Sequence, residues 1–143
     1  MSQTNRAVPM LEGVRVLDFT QYVAGPTVTR LMAELGADII KVEQAPGGDP
    51  SRTIPVIKNR RSAYYIQHNR GKKSLCVDFS KPDTTALLHD LVKTVDIVVE
   101  NYGPGVMARR QLDYEALSKI NPKLIMLSIS AFGGRPVIGE RPK

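Results

Sequence analysis

Apolar residues in the chain form short runs that alternate with stretches of helical spacing. The first run predicts a strand and consists of Val14, Val16, Leu17 and Phe19. After a loop from Thr20 to Gly25, Pro26 suits a first helical turn. Four apolar residues then share one helical face, namely Val28, Leu31, Met32 and Leu35. Gly36 is placed to end this helix, and a second strand is predicted at Ile39–Val42.

The same alternation continues along the rest of the chain. Further strands are predicted around Leu75–Phe79, Ile97–Val99 and Leu124–Ile129. Ser80 and Asp83 resemble a capping box ahead of a helix. One face of that helix is formed by Thr84, Leu87, Leu88, Leu91, Val92 and Val95. Strands that alternate with helices predict an α/β fold, in which a parallel sheet is flanked by helices on both faces.

Two stretches lack such a pattern. Residues 1–12 are expected to form a flexible leader, since Pro9 discourages regular structure. Gln44–Asn69 is rich in proline and glycine and predicts a long irregular connection, which in a compact domain is usually functional or mobile. A chain of 143 residues suffices for one domain, and the sequence shows neither an internal repeat nor a second domain.

The loops that follow the predicted strands are the first candidates for a binding site. They contain Gln21 to Ala24, Gln44, Asp78 to Ser80, and Asn101 to Gly103. In a parallel sheet these loops meet at the carboxyl edge, where open α/β folds bind ligands. Such loops also occur without any ligand, with their glycines serving turns, and the residues alone leave both interpretations open.

The net charge of +6 is concentrated in one segment. Between Arg52 and Lys73 there are seven basic residues and no acidic ones. Such a basic arm suits a phosphate-bearing ligand, nucleic acid or a solvated loop, and general surface composition favours the solvated loop. Arg109 and Arg110, near the proposed site, could neutralise phosphate, although charges at helix ends more often lie free at the surface.

Several other classes of protein are disfavoured. The single cysteine, Cys76, cannot form an internal disulfide, which favours a reducing cytoplasm, and it is predicted to be a small core residue. Cys76, His68 and His89 lack the spacing of a metal site, so no metal is expected. No apolar run is long enough to cross a membrane. The glycine-rich nucleotide fingerprints are absent, as are recognisable catalytic triads or paired carboxylates.

Seven motifs in order closely resemble the amino-terminal part of family III CoA-transferases. They are L-D-F-T-x-x-x-A-G-P, L-G-A-D-I-I-K-V-E, N-R-G-K-K-S, V-E-N-Y-G-P-G-V, L-D-Y-E-A-L, N-P-K-L-I and S-I-S-A-F-G, spread between residues 17 and 133. The resemblance extends over nearly the whole chain, from Leu11 to Pro142. One such motif would be weak evidence of a resemblance to this family, whereas seven motifs in the same order are specific evidence.

The resemblance implies that residues 13–143 form an incomplete Rossmann-like CoA-binding domain, the amino-terminal part of the family's large domain. It implies acyl-CoA and a carboxylic acid as substrates, a homodimer in the full-length enzyme, and neither nucleic acid nor membrane as partner. The positions that match the family's CoA contacts are Val23, Ala24, Gln44, Val77, Asp78, Phe79, Ser80, Asn101, Tyr102, Gly103 and Arg109.

Two of these positions depart from the family pattern. Gln44 stands where some members carry an arginine, and Ser80 where some carry a lysine. Both changes remove a cation, so we expect the adenosine phosphates to be held differently, with the basic arm as a candidate.

The family's reaction starts with attack of an aspartate carboxylate on the thioester of an acyl-CoA. That aspartate is expected beyond the last matched motif, so no catalytic residue is assigned and the 143-residue chain is expected to be inactive alone. A racemase related to α-methylacyl-CoA racemase is one alternative, since it also binds CoA esters but transfers a proton. A non-catalytic CoA-binding fragment is the other.

Overall fold

The computed structural model describes residues 8–131 and residue 133. Its main sheet contains five strands, which are β1 (Arg15–Asp18), β2 (Asp38–Gln44), β5 (Lys73–Val77), β6 (Ile97–Glu100) and β7 (Ile125–Ser128). A separate two-stranded hairpin pairs β3 (Ile57–Lys58) with β4 (Arg61–Ser62). Within the described residues there are five helices, α1 (Ala24–Glu34), α2 (Ala63–Asn69), α3 (Pro82–Val92), α4 (Val106–Arg109) and α5 (Tyr114–Ile120).

The strands of the main sheet are ordered β5-β2-β1-β6-β7, and all are parallel. The chain therefore builds the sheet outward from β1 to β5 on one side, and then continues from β6 to β7 on the other. The boundary between β1 and β6 is the topological switch point, because the chain turns to β2 after β1 and to β7 after β6. Open α/β sheets bind ligands at such a point.

Two apolar clusters cover the two faces of the sheet, because successive strand residues point to opposite faces. Leu17 belongs to the cluster that includes Leu88 and Val92 of α3 and Leu117 of α5. Val16, its neighbour in β1, belongs to the other cluster, against which Met32 and Ala33 of α1 pack. The predicted α/β class, with a parallel sheet flanked by helices, is confirmed.

The end of α1 shows how the sequence sets a boundary. Gly36 has φ +105°, a conformation that side chains rarely permit. Its N–H donates to Ala33 O and the next N–H, of Ala37, donates to Met32 O, both at 3.0 Å. This pair of bonds is a Schellman motif, so the prediction that Gly36 ends the helix is correct.

The connection Gln44–Asn69 is more regular than predicted. It contains a 3-10 turn at Pro50–Thr53, the β3–β4 hairpin and the whole of α2. Strands of two residues are too short for periodicity to detect, and α2 has seven residues with only Asn69 buried. The prediction of an irregular connection was therefore wrong for more than half of this segment.

Three local predictions around β5 and α3 were also wrong. Ser80 does not cap α3, because its N–H and hydroxyl both donate to Asp78 Oδ1, at 2.9 and 2.7 Å, and Lys81 takes the cap position. Leu87, assigned to the buried face of α3, is 48% exposed. Cys76 lies in β5 as expected but is exposed, because β5 is an edge strand of the sheet.

Candidate functional site at the carboxyl edge

The loops after β1 and β6 are joined directly at the switch point. The Gln21 N–H donates to Asn101 Oδ1 at 2.8 Å, and Asn101 Nδ2 donates back to Gln21 O at 2.9 Å. The Gln21 side chain donates from Nε2 to the Tyr102 hydroxyl at 3.1 Å. These three bonds hold two loops, 80 residues apart in sequence, as one surface.

Arg110 joins the loop after β5 to the loop after β6. Its guanidinium carbon lies 4.0 Å from the centre of the Phe79 ring and 5.6 Å from that of Tyr102. Stacking of this kind is favourable because the guanidinium is planar and weakly hydrated. Burial raises the pKa of the Tyr102 phenol, although the Arg110 cation opposes the shift. Arg110 Nη1 is buried without a hydrogen-bond partner.

A buried ion pair lies beneath these loops, at the end of β1. Asp18 and Lys72 have side chains that are 0% and 1% exposed, and Lys72 Nζ lies 3.0 Å from Asp18 Oδ2. Thr29 also donates to Asp18, at 2.6 Å. Burial opposes ionisation of Asp18, but Lys41, Lys72 and two threonine hydroxyls outweigh it and lower the pKa of the carboxyl. Burial lowers the pKa of Lys72 to about 8, against the attraction of Asp18.

A second buried pair supports the same edge from β2. Lys41 Nζ lies 2.9 Å from Asp49 Oδ2, in an ion pair whose direction is poor for a hydrogen bond. The same ammonium donates to Thr20 O at 2.5 Å, so it fixes the chain immediately after β1. Lys41 occupies an inward position of a buried strand, and such a lysine is retained where it has a partner.

Glu43 accepts hydrogen bonds from five donor groups at the end of β2. Arg52 binds it with two nitrogens at 2.6 and 2.7 Å, and Tyr65 and Ser74 each donate to Oε1 at 2.7 Å. Burial opposes ionisation, but these hydrogen bonds and the Asp49 N–H outweigh it and lower the pKa of Glu43 to about 2. The same burial and the nearby carboxylate raise the pKa of Tyr65. This cluster anchors the start of the long β2–β5 connection.

The basic arm divides into two parts. Arg52, Arg70, Lys72 and Lys73 each form an ion pair, with Glu43, Glu34, Asp18 and Asp38 respectively. The other three, Lys58, Arg60 and Arg61, are exposed on the hairpin. A cavity of about 620 Å³ beside the hairpin is lined by Val56, Lys58, Asn59, Arg61, Ala63 and Ile66. Most basic residues of the arm therefore form ion pairs within the chain and do not provide a free positive charge.

The structure brings several of the predicted site residues together. Gln44 and Val77 are paired across β2 and β5, and Phe79 and Tyr102 flank Arg110. Val23 and Ala24 are exposed beside Gln21, and Gly103 and Arg109 are exposed around α4. Asp78 and Ser80 bind one another in the turn after β5. All of these positions except Arg109 lie at or just after the carboxyl ends of β1, β2, β5 and β6, whereas Arg109 ends α4, the helix that follows β6.

Reasoning from sequence missed the residues that hold these loops in place. Gln21 was placed in the loop without a role, and nothing in the sequence linked Asp18 to Lys72, which is 54 residues away. A signal was present in Lys41, a charged residue between the apolar Ile40 and Val42. Such a position implies a buried partner but does not identify it.

The described residues, 8–131 and 133, contain no group of three metal-ligating side chains. Within the same residues, no helix is long and apolar enough to cross a membrane. The arrangement at the carboxyl edge is suited to binding, since it offers exposed loops, two aromatic rings and arginines.

Comparison with known proteins identifies the family. The chain matches CoA-transferase family III over residues 11–142. It is 44% identical over 127 residues to formyl-CoA:oxalate CoA-transferase of Rhodopseudomonas palustris strain BisA53, which covers 88% of this chain and 30% of that protein. It is 42% identical over 132 residues to succinate–glutarate CoA-transferase of Agrobacterium fabrum, covering 87% and 33%. The chain thus spans about a third of the length of these relatives.

Solved structures agree with this result. A crystal structure of Rv3272 from Mycobacterium tuberculosis superposes with a TM-score of 0.84 at 40% identity, covering 95% of this chain and 38% of that one. A CAIB/BAIF family protein from Brucella suis gives a TM-score of 0.83 at 40% identity, covering 92% and 36%. Because the family match covers almost all of the sequence, the chain belongs to CoA-transferase family III.

Proposed function

We propose that the chain is the CoA-binding part of an enzyme that moves CoA from an acyl-CoA thioester to a carboxylic acid. The observation that carries the proposal is the meeting of the β1, β5 and β6 loops at one edge of the sheet, in a chain of this family. Coenzyme A lies across these loops. Its site is lined by Val23, Ala24, Gln44, Val77, Asp78, Phe79, Ser80, Asn101, Tyr102, Gly103 and Arg109.

Positive charge for the phosphates comes from Arg109 in this proposal. Arg109 is exposed in the last turn of α4, and it forms no ion pair with any residue in the described part of the chain. Because a free guanidinium can donate two parallel hydrogen bonds to a phosphate, it binds such a group better than a paired one. Most of the basic arm is already paired and contributes less.

The 143-residue chain alone is proposed to bind CoA without transferring it. The buried carboxylates at the carboxyl edge are engaged by donors of the protein itself. Asp18 binds Lys72, Asp49 binds Lys41, Glu43 binds Arg52, and Glu100 accepts the Tyr102 N–H at 2.8 Å. A carboxylate held in this way is a poor nucleophile towards a thioester.

The whole enzyme is proposed to be a cytoplasmic homodimer. Ile125 and Leu127 point to the same face of β7 and are 61% and 40% exposed. Apolar surface of this kind on a soluble domain is typical of a surface that further protein covers.

Calorimetric titration with CoA tests the proposal. Wild-type chain is expected to bind, and Arg109→Gln is expected to weaken binding about tenfold, as loss of a charged hydrogen bond to phosphate should. Lys93→Gln is the matched control, since Lys93 is an exposed cation at the opposite edge of the sheet. Absence of CoA binding by the wild type would refute the proposal that the chain binds CoA. Detectable acyl exchange would refute the proposal that the isolated chain is inactive.

A further inference from the structure

The loop between β1 and α1 has its main chain held by side chains from other elements. Thr20 O accepts a hydrogen bond from Lys41 Nζ of β2. Both polar groups of the Gln21 main chain are bound by Asn101, which follows β6. Three consecutive polar groups of an irregular loop therefore have fixed partners, one from β2 and two from the residue that follows β6.

The next residue of the loop is in a strained conformation. Tyr22 has φ +66°, a left-handed geometry that is unfavourable for a residue with a side chain. Its N–H points to Asp49 Oδ1 at 3.4 Å. Strain of this kind persists only where the surroundings determine the backbone, and the exposed residues Val23 and Ala24 follow directly.

Asn101 is central to this arrangement. A carboxamide has one acceptor atom and one donor atom, and both atoms of Asn101 are used by Gln21, at 2.8 and 2.9 Å. These two bonds fix the orientation of the side chain against the main chain of Gln21. We infer that Asn101 is a positioning residue, which holds the β1–α1 loop in the conformation that receives CoA and acts through Gln21 instead of binding the ligand with its own side chain.

The inference predicts that removal of the Asn101 carboxamide weakens CoA binding. Without the carboxamide, the two main-chain groups of Gln21 exchange with water and the loop samples other conformations. CoA must then order the loop as it binds, which weakens binding. Two hydrogen bonds of ordinary strength correspond to a decrease of about tenfold or more in affinity.

The test compares Asn101→Ala with Asn121→Ala in the full 143-residue chain. Asn121 is a matched control because its Nδ2 also donates to main-chain oxygens, those of Val92 and Val95 at 3.0 and 2.9 Å. It lies at the end of α5, before β7 begins, and thus at the opposite edge of the sheet. CoA affinity is measured by calorimetry, folding by thermal unfolding, and loop order by hydrogen exchange of the Gln21 amide.

We expect Asn101→Ala to weaken CoA binding about tenfold and to expose the Gln21 amide to exchange, while Asn121→Ala changes CoA affinity less than about twofold. Equal affinity in Asn101→Ala and wild type would overturn the inference, as would an unchanged exchange rate at Gln21. If Asn101→Ala does not fold, Asn101→Asp replaces it, since it keeps the acceptor and loses the donor; about 0.5 M salt screens the added charge.

The inference rests on the proposed function, because CoA is the probe of affinity. Failure of the proposed function can be distinguished from failure of the inference about Asn101. If the wild-type chain does not bind CoA, the proposed function fails, and the exchange rate of the Gln21 amide still decides whether Asn101 holds the loop.

Discussion

At the scale of single residues, the carboxyl edge depends on buried ion pairs. Asp18 with Lys72 and Lys41 with Asp49 tie β1 and β2 to the segments that follow them. Removing one partner of a buried pair leaves an uncompensated charge, which is far more costly than the net value of the pair. The sequence indicates such charges by their inward positions in strands, but their partners depend on tertiary distances that no local pattern contains.

Acid unfolding should depend strongly on Glu43. Its pKa is lowered to about 2 in the folded chain from 4.5, so the folded state resists protonation. The resulting stability is present above pH 4.5 and is lost as the pH falls from 4.5 towards 2. Glu43→Gln should flatten the stability profile in this window by up to about 3 kcal/mol, measured by urea unfolding at a series of pH values. Asp18 remains in the variant and contributes in the same direction.

Glu34→Gln is the control for that prediction. Glu34 also accepts from two arginines, Arg30 and Arg70, but its side chain is 39% exposed. Exposed ion pairs contribute about 1 kcal/mol or less, so the acid profile of this variant should resemble that of the wild type. A Glu43→Gln profile as steep as that of Glu34→Gln would contradict the role assigned to Glu43.

At the scale of elements, apolar spacing was a good guide to the five strands of the main sheet and to α1 and α3. These elements bury a continuous face, so their sequences carry a strong period. The hairpin and α2 escaped prediction because they bury little and are held by specific contacts, such as the bond from Ser62 Oγ to Ile54 O at 2.6 Å. The Ser80–Asp83 capping box failed because Asp78 competes for the same serine.

The boundary of α1 gives a prediction at this scale. Gly36→Ala forces a side chain into φ +105°, and the new Cβ would clash with Pro9 Cβ. We expect a destabilisation of about 1–3 kcal/mol, seen as a lower midpoint of urea unfolding. Gly47→Ala is the matched control, because nothing lies within 4 Å of its added Cβ and its φ is not positive. Similar midpoints for the two variants would show that the helix boundary does not depend on Gly36.

At the scale of the whole molecule, strand order is what turns separate loops into one surface. The order β5-β2-β1-β6-β7 places the ends of β1 and β6 side by side, although nearly 80 residues separate the two strands. The alternation of strands and helices predicted the parallel sheet and which loops meet at its carboxyl edge. The hydrogen bonds between the loops, such as those between Gln21 and Asn101, were not predictable because they depend on the register of the neighbouring strands.

The central claim is that CoA binds at this carboxyl edge. Titration of the isotopically labelled chain with CoA, followed by amide chemical shifts, tests the claim most directly. We expect the largest changes at Val23, Ala24 and Asn101 to Gly103, with little change at Gly13, Asp96 and Asn121 on the opposite edge. Saturating changes confined to the opposite edge or to the β3–β4 hairpin, with the β1 and β6 loops unaffected, would contradict the claim.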